Sequence, residues 1–160
     1  MRIRLDDLNG PEIAAFLAEH LQDMHANSPP ESVHALDLSG LRRPEISFST
    51  LWDANRLVAC CALKELDATH GELKSMRVSR SDRGRGIGAM LVQHLFAEAR
   101  RRGYTRLSLE TGSMEFFVPA RRLYARFGFT ECGPFAGYRE DPNSIFMTLE
   151  LNGAYGGAPK

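Results

Sequence analysis

The chain has 160 residues, 43% hydrophobic and 25% charged, and its 20 Lys and Arg balance 20 Asp and Glu. Such numbers describe one ordinary globular domain long enough to bury a core, and the zero net charge argues against a general nucleic-acid binder. Cys60, Cys61 and Cys132 have neither metal-ligand spacing nor an even disulfide framework, so they read as packing residues in a reducing compartment. With no signal-peptide pattern and no apolar run of about 20 residues, a cytoplasmic protein without membrane contact is expected.

Arg2–Leu5 alternates like a short first strand. Asn9-Gly10 before Pro11 suits a helix start with proline at its first position. Ile13, Phe16, Leu17, Leu21 and Met24 then recur at helical spacing to about residue 25, and Asn27-Ser-Pro-Pro30 stops the helix. Residues 31–44 are mixed, with Val33, Leu36, Leu38 and Leu41 as apolar anchors around a short helix or turn. Ile46–Trp52 and Arg56–Leu66 read as a hairpin across Asp53-Ala-Asn55. His70-Gly71 is the next expected reversal and Glu72–Val78 the fourth strand. Ile87, Met90, Leu91, Leu95, Phe96 and Ala99 form the buried stripe of the main helix, and the arginines at 100–102 suit its C-terminal end before Gly103. Thr105–Glu110 returns by a right-handed crossover as a fifth strand parallel to the fourth. Pro119 opens a last helix that Gly128 closes, and Phe129–Gly133 and Ser144–Leu151 complete a mixed sheet of about seven strands. One domain over 1–151 is expected, with the Gly- and Pro-rich residues 152–160 as a frayed tail.

Between the fourth strand and the main helix lies Ser79-Arg-Ser-Asp-Arg-Gly-Arg-Gly-Ile-Gly88. Glycines at a helix start gather bare backbone N–H groups, the helix dipole adds partial positive charge, and Arg80, Arg83 and Arg85 add cations; the natural guest is a phosphate or pyrophosphate. A P-loop is excluded because no Lys-Ser/Thr follows the glycines. Glu110 ends the next strand about where a dinucleotide site holds its ribose. The glycines, however, run Gly84-x-Gly86-x-Gly88, a polar segment separates them from the strand, and only 50 residues follow Glu110. The alternative without a ligand is a Gly-rich turn capping a surface helix with solvated arginines.

Arg83-x-x-Gly86-x-Gly88 resembles the acetyl-CoA-binding motif of the GNAT N-acetyltransferase superfamily, Gln/Arg-x-x-Gly-x-Gly/Ala. The resemblance runs from about Arg56 to Leu151. Leu109-Glu110-Thr111 and Leu123-Tyr124-Ala-Arg-Phe-Gly128-Phe129 fall where the family has its fifth strand and fourth helix. It implies the GNAT fold, an α/β (α+β) architecture whose central sheet is mixed and mostly antiparallel, with a parallel, splayed fourth and fifth strand and flanking helices.

The resemblance also implies acetyl-CoA as co-substrate, no metal, and transfer to a primary amine by direct attack in a ternary complex. Pantetheine would lie along Met76, Arg77 and Val78, pairing with free backbone groups. Pyrophosphate would rest on amides from Arg83 through Gly84, Arg85, Gly86 and Ile87 to Gly88, where a Cβ at Gly86 or Gly88 would hold it away. Tyr124 matches the family tyrosine that protonates the departing thiolate; a half-buried tyrosine with a satisfied hydroxyl is the structural alternative. Phe117 stands where many members carry a cofactor-bonding Asn, which leaves apolar contact there, with Ser113 or the 116–119 backbone as replacement donors.

A base must take the amine proton. Glu72 occupies the place where some members carry it, and strand alternation sets Glu72, Lys74, Met76 and Val78 on one face. Glu110, across the splay, is the second carboxylate. His34, Lys74, Glu110 and Tyr138 are the acceptor contacts expected first, with His25, Arg77 and Arg139 nearby. The acceptor is a small amine or a protein amine, and a homodimer is compatible with the family. Other readings are an acyl-CoA-binding module without turnover, transfer of another acyl group or to a hydroxyl, and a covalent step through Cys132.

Overall fold

The computed structural model describes residues 1–151; the expected tail at 152–160 lies outside the described residues. Seven strands form one sheet: β1 (Arg2–Leu5), β2 (Ile46–Asp53), β3 (Arg56–Asp67), β4 (His70–Val78), β5 (Arg106–Gly112), β6 (Thr130–Cys132) and β7 (Ser144–Glu150). Their spatial order is β1-β2-β3-β4-β5-β7-β6. Every neighbouring pair is antiparallel except β4 and β5. The helices are α1 (Pro11–Asn27), α2 (Leu38–Leu41), α3 (Ile87–Arg101) and α4 (Val118–Arg126). This is the expected mixed sheet with a parallel fourth and fifth strand. Among the described residues no helix is long and apolar enough to cross a membrane.

Helices cover both faces because β3 is apolar on both. Cys61 and Leu63 join a core with Leu91, Val92, Leu95 and Phe96 of α3. Cys60 and Ala62 face the other way, into a smaller core with Ile13 and Leu17 of α1 and Leu41 of α2. The adjacent cysteines therefore point to opposite faces, as strand geometry requires, and all three cysteines are free. α1 opens with Pro11 after Gly10, where the missing proline N–H costs nothing. α2 is a single turn, its first amides capped by the Asp37 side chain accepting from Gly40 N at 2.9 Å.

Two local expectations are corrected. The reversal before β4 is made by Ala68 and Thr69, with the Asp67 carboxylate accepting from Thr69 N at 2.8 Å, an Asx turn. His70-Gly71 already belongs to the strand, and Gly71 is small because a Cβ there would meet the Tyr104 ring at 2.8 Å. The second correction concerns β4 itself. Ala62 pairs with Lys74 but Cys60 with Arg77, so β4 carries one extra residue, and Ser75 takes φ 53°. This bulge inverts the alternation. Glu72, Lys74 and Arg77 face α1, whereas Met76 and Val78 pack on the α3 side with Leu73. Glu72, Lys74, Met76 and Val78 do not share one face.

Candidate active site

β4 and β5 are paired only from His70 opposite Arg106 to Leu73 opposite Leu109. Beyond that point β4 stays bonded to β3 and β5 to β7, so the strands part and their facing backbone edges are left open. A cleft of about 900 Å³ fills the parting. Its floor is Glu72–Val78 and Leu109–Gly112, its walls are α1, residues 32–35 and α4, and its mouth is Asp82–Gly88 without Arg85.

The mouth is built by local chain geometry. Gly84 and Gly86 take φ 81° and 78°, a left-handed region in which a Cβ is strained. Gly86 is the N-cap of α3, and no side chain caps the first turn, which leaves amide donors and the positive dipole end facing the cleft. An added Cβ at Gly86 would enter open space, whereas at Gly88 it would meet Leu123 Cδ2 at 2.9 Å. Gly88 is therefore small so that α4 can lie against α3, a packing reason beside the expected phosphate clearance.

Buried Asp82 fixes the loop. It accepts from Arg56 Nη1 at 2.5 Å, from Arg85 Nη1 at 2.6 Å and from Ser79 Oγ. The Arg56 and Ser79 hydrogen bonds, opposed by burial and helped by Arg85, hold its carboxyl well below the usual carboxylate range. Arg85 also reaches Asp53 at 3.2 Å, and it does not line the cleft. Arg80 is likewise engaged, by Asp23 at 2.5 Å. Arg83 is exposed, lines the cleft and makes no ion pair among the described residues.

Tyr124 of α4 projects to the parting of the strands and is 7% exposed. Its hydroxyl meets Met76 Sδ at 3.8 Å, a weak acceptor, and burial pushes the phenol above its usual value. Phe117 is buried against Gly112, where an added Cβ would fall 2.2 Å from the ring. It gives the cleft an apolar wall. Ser113 donates instead to Pro142 O at 2.7 Å and does not line the cleft, so it does not replace the missing amide.

At the far end the polar groups of β4 and β5 gather. Glu72 Oε2 accepts from Lys74 Nζ at 3.2 Å and from the Tyr138 hydroxyl at 2.6 Å, and Lys74 also donates to that hydroxyl at 2.9 Å. Burial, then the neighbouring Glu72 carboxylate, pushes the Tyr138 phenol upward. Glu110 accepts from Ser144 Oγ at 2.8 Å. Burial raises its carboxyl above the ordinary range against the Ser144 bond and the charges of His34 and Lys74. His34 lines the cleft and meets Tyr138 edge-on, with ring centroids 5.0 Å apart.

The Acetyltransferase (GNAT) family model matches residues 13–129. The chain belongs to the GNAT family. It is 55% identical to "Uncharacterized N-acetyltransferase YsnE" of Bacillus subtilis (strain 168), over 94% of this chain and 100% of that one. It is 38% identical to the IAA acetyltransferase of Azospirillum brasilense, over 84% and 86%. Among solved structures, a GNAT acetyltransferase from Elizabethkingia anophelis with acetyl-CoA bound shares the fold at TM-score 0.64 and 17% identity, covering 94% of this chain and 97% of that one. The chain is thus an acyltransferase of the GNAT type.

Within this GNAT cleft the fold brings together Met76, Val78, Arg83, Gly84, Gly86, Ile87, Gly88, Phe117 and Tyr124 on the mouth and wall side. It brings Glu72, Lys74, Glu110 and His34 together at the opposite end. Tyr138 does not line the cleft: it stands behind Glu72 and Lys74 and orients them. Arg77 reaches the cleft, but its guanidinium is buried against Glu19 and Asp23 of α1, each at 2.7 Å. His25 and Arg139 are exposed and lie off the cleft. Sequence reasoning missed His20, which lines the cleft from α1. Burial and then the charge of Arg77, opposed by Asp23, lower its pKa to about 4. The i, i+3 spacing of His20 and Asp23 was a readable sign that both face the sheet.

Proposed function

We propose that this enzyme transfers the acetyl group of acetyl-CoA to a primary amine by direct attack in a ternary complex. The parting of β4 and β5 carries the reading. It is a slot with open backbone edges, an uncapped helix N-terminus at one end, two carboxylates at the other and a buried phenol between them. Amides of the first turn of α3 would take the diphosphate, each charge-assisted hydrogen bond contributing about 1.5–3 kcal/mol. Backbone groups of Met76 and Val78 would pair with the pantetheine amides, and Phe117 would supply apolar contact. The names of its relatives support the chemistry: YsnE is described as an N-acetyltransferase, the A. brasilense protein as an IAA acetyltransferase, and the E. anophelis structure holds acetyl-CoA.

In the transfer a C–N bond forms at the thioester carbon as the C–S bond breaks. The amine gives up a proton to a carboxylate, and the leaving thiolate receives one from Tyr124. Both Glu72 and Glu110 line the slot. The Glu72 carboxylate is already engaged by Lys74 Nζ and the Tyr138 hydroxyl, both donating to its Oε2. Glu110 has one hydroxyl donor and a carboxyl raised by burial, so its proton affinity is nearer that of a working base. Glu110 is the base in this reading, and Glu72 sets the position of Lys74 beside it. The free thiols fit a reducing compartment, the cytoplasm.

Release of CoA from acetyl-CoA, measured against a panel of small amines and amine-bearing peptides with calorimetric binding in parallel, tests the proposal. Turnover with at least one amine is expected; no turnover together with no acetyl-CoA binding would refute it.

A further inference from the structure

The arginines around the mouth of the cleft divide into two groups. Arg56, Arg80 and Arg85 are each neutralised, by Asp82, by Asp23 and by Asp82 with Asp53. Arg83, Arg122 and Arg126 line the cleft, are exposed, and make no ion pair or side-chain hydrogen bond among the described residues. Asp82, the acidic residue lining this mouth, is saturated by two guanidinium groups and a hydroxyl, while Glu72 and Glu110 belong to the other end. Three uncompensated cations therefore face one side of one cleft.

Their placement follows from the helix contact already described. Leu123 packs on Gly88, in the first turn of α3, so the row Arg122–Arg126, four apart on α4 and about 5–6 Å between Cβ atoms, flanks that turn from outside. Arg83 flanks it from the loop. The amides of the turn serve a diphosphate, and guanidinium groups one side chain further out meet whatever anion lies beyond it. Guanidinium favours a tetrahedral oxyanion because its N–H fork matches two oxygens.

We infer that Arg83, Arg122 and Arg126 form a separate phosphomonoester site that holds the 3′-phosphate of coenzyme A, so that this enzyme distinguishes the 3′-phosphorylated cofactor from its dephosphorylated form. The inference rests on the acetyl-CoA reading above and deepens it. The arginines are exposed, so each contact is screened by water and salt and worth less than a buried one. Together they supply discrimination on the order of tenfold.

The test is calorimetry on the full chain with acetyl-CoA and with 3′-dephospho-acetyl-CoA, at low and at high salt. The wild type should bind acetyl-CoA about tenfold more tightly at low salt, with a smaller difference at high salt. In the Arg122→Gln/Arg126→Gln double variant, acetyl-CoA should weaken to the dephospho level while dephospho-acetyl-CoA keeps its wild-type affinity. Both positions are exposed on α4, and circular dichroism would verify that the fold survives. Equal wild-type affinity for the two thioesters, or equal weakening of both in the variant, would overturn the phosphate site and leave the acetyl-CoA reading intact. Binding of neither to the wild type would overturn both.

Discussion

Replacing Tyr124 by Phe removes one oxygen from a buried ring and nothing else, so its consequences for stability and for chemistry can be separated. The hydroxyl has a thioether sulfur 3.8 Å away as its partner, and the ring keeps its packing against Phe129, with centroids 5.9 Å apart. A net hydrogen bond is worth about 0.5–1.5 kcal/mol and a sulfur acceptor less, so stability should change by no more than about 1 kcal/mol, in either direction. Catalysis should respond far more. General acid assistance contributes roughly 10²–10⁴-fold, and the lower bound is about 2.7 kcal/mol of barrier. Because burial raises the phenol above its usual value, Tyr124 stays protonated through any ordinary assay and is a competent donor throughout. Steady-state kinetics, calorimetry with acetyl-CoA and thermal unfolding on the same preparation check all three expectations. kcat should fall about 100-fold or more while acetyl-CoA affinity and Tm hold. A kcat within about threefold of wild type would remove the acid role. A loss of acetyl-CoA affinity matching the loss of kcat would make Tyr124 a wall of the site.

Glu110→Gln should lower kcat/KM about 100-fold. It should also abolish the acid limb of the pH profile, which in the wild type lies above the ordinary carboxylate range because the base works only when deprotonated and burial raises its pKa; an unchanged limb would assign the base elsewhere. Gly112→Ala places a Cβ 2.2 Å from the Phe117 ring, so thermal unfolding should show a loss of about 1–3 kcal/mol and titration a weaker acetyl-CoA complex. Asp82→Asn should flatten the acid side of the stability curve. Its carboxyl is depressed in the fold, so the stability it contributes is present above its unfolded pKa, near 3.8, and is lost as pH falls towards the folded value. Chemical denaturation at pH 7 and pH 3 checks this, and parallel curves for the two proteins would contradict it.

The order of elements was legible because each local signal agreed with its neighbours: Pro11 and Pro119 at helix starts, Gly86 at the mouth of α3, and an apolar stripe from Ile87 to Ala99, in which Val92 is buried and Met90, expected there, is exposed. The glycine loop that opens α3 was legible for the same reason, since a helix N-terminus is a local object. What failed depends on distant partners. Gly71 looked like a turn residue, yet it is small because of Tyr104, 33 positions away. Arg85 looked like an unpaired cation beside the helix start, yet Asp53 and Asp82 engage it. The bulge at Ser75 carries no glycine to announce it; a serine there accepts φ 53°, and a one-residue slip moves every later side chain to the other face.

That slip makes the site possible. Without it, alternation from Glu72 would send Arg77 into the apolar cluster of α3 and Met76 towards α1. A guanidinium in that cluster would be an unpaired buried charge, and one left so by removal of its partner costs about 3–5 kcal/mol. With the bulge, Arg77 meets Glu19 and Asp23 and ties α1 to the sheet, while Met76 comes round to the Tyr124 hydroxyl. One strand thus anchors α1 with one residue and brings a thioether to the Tyr124 hydroxyl with the one before it. Slipping back by one residue would exchange the two faces, so the buried Arg77 ion pairs act as the lock on the register that opens the cleft.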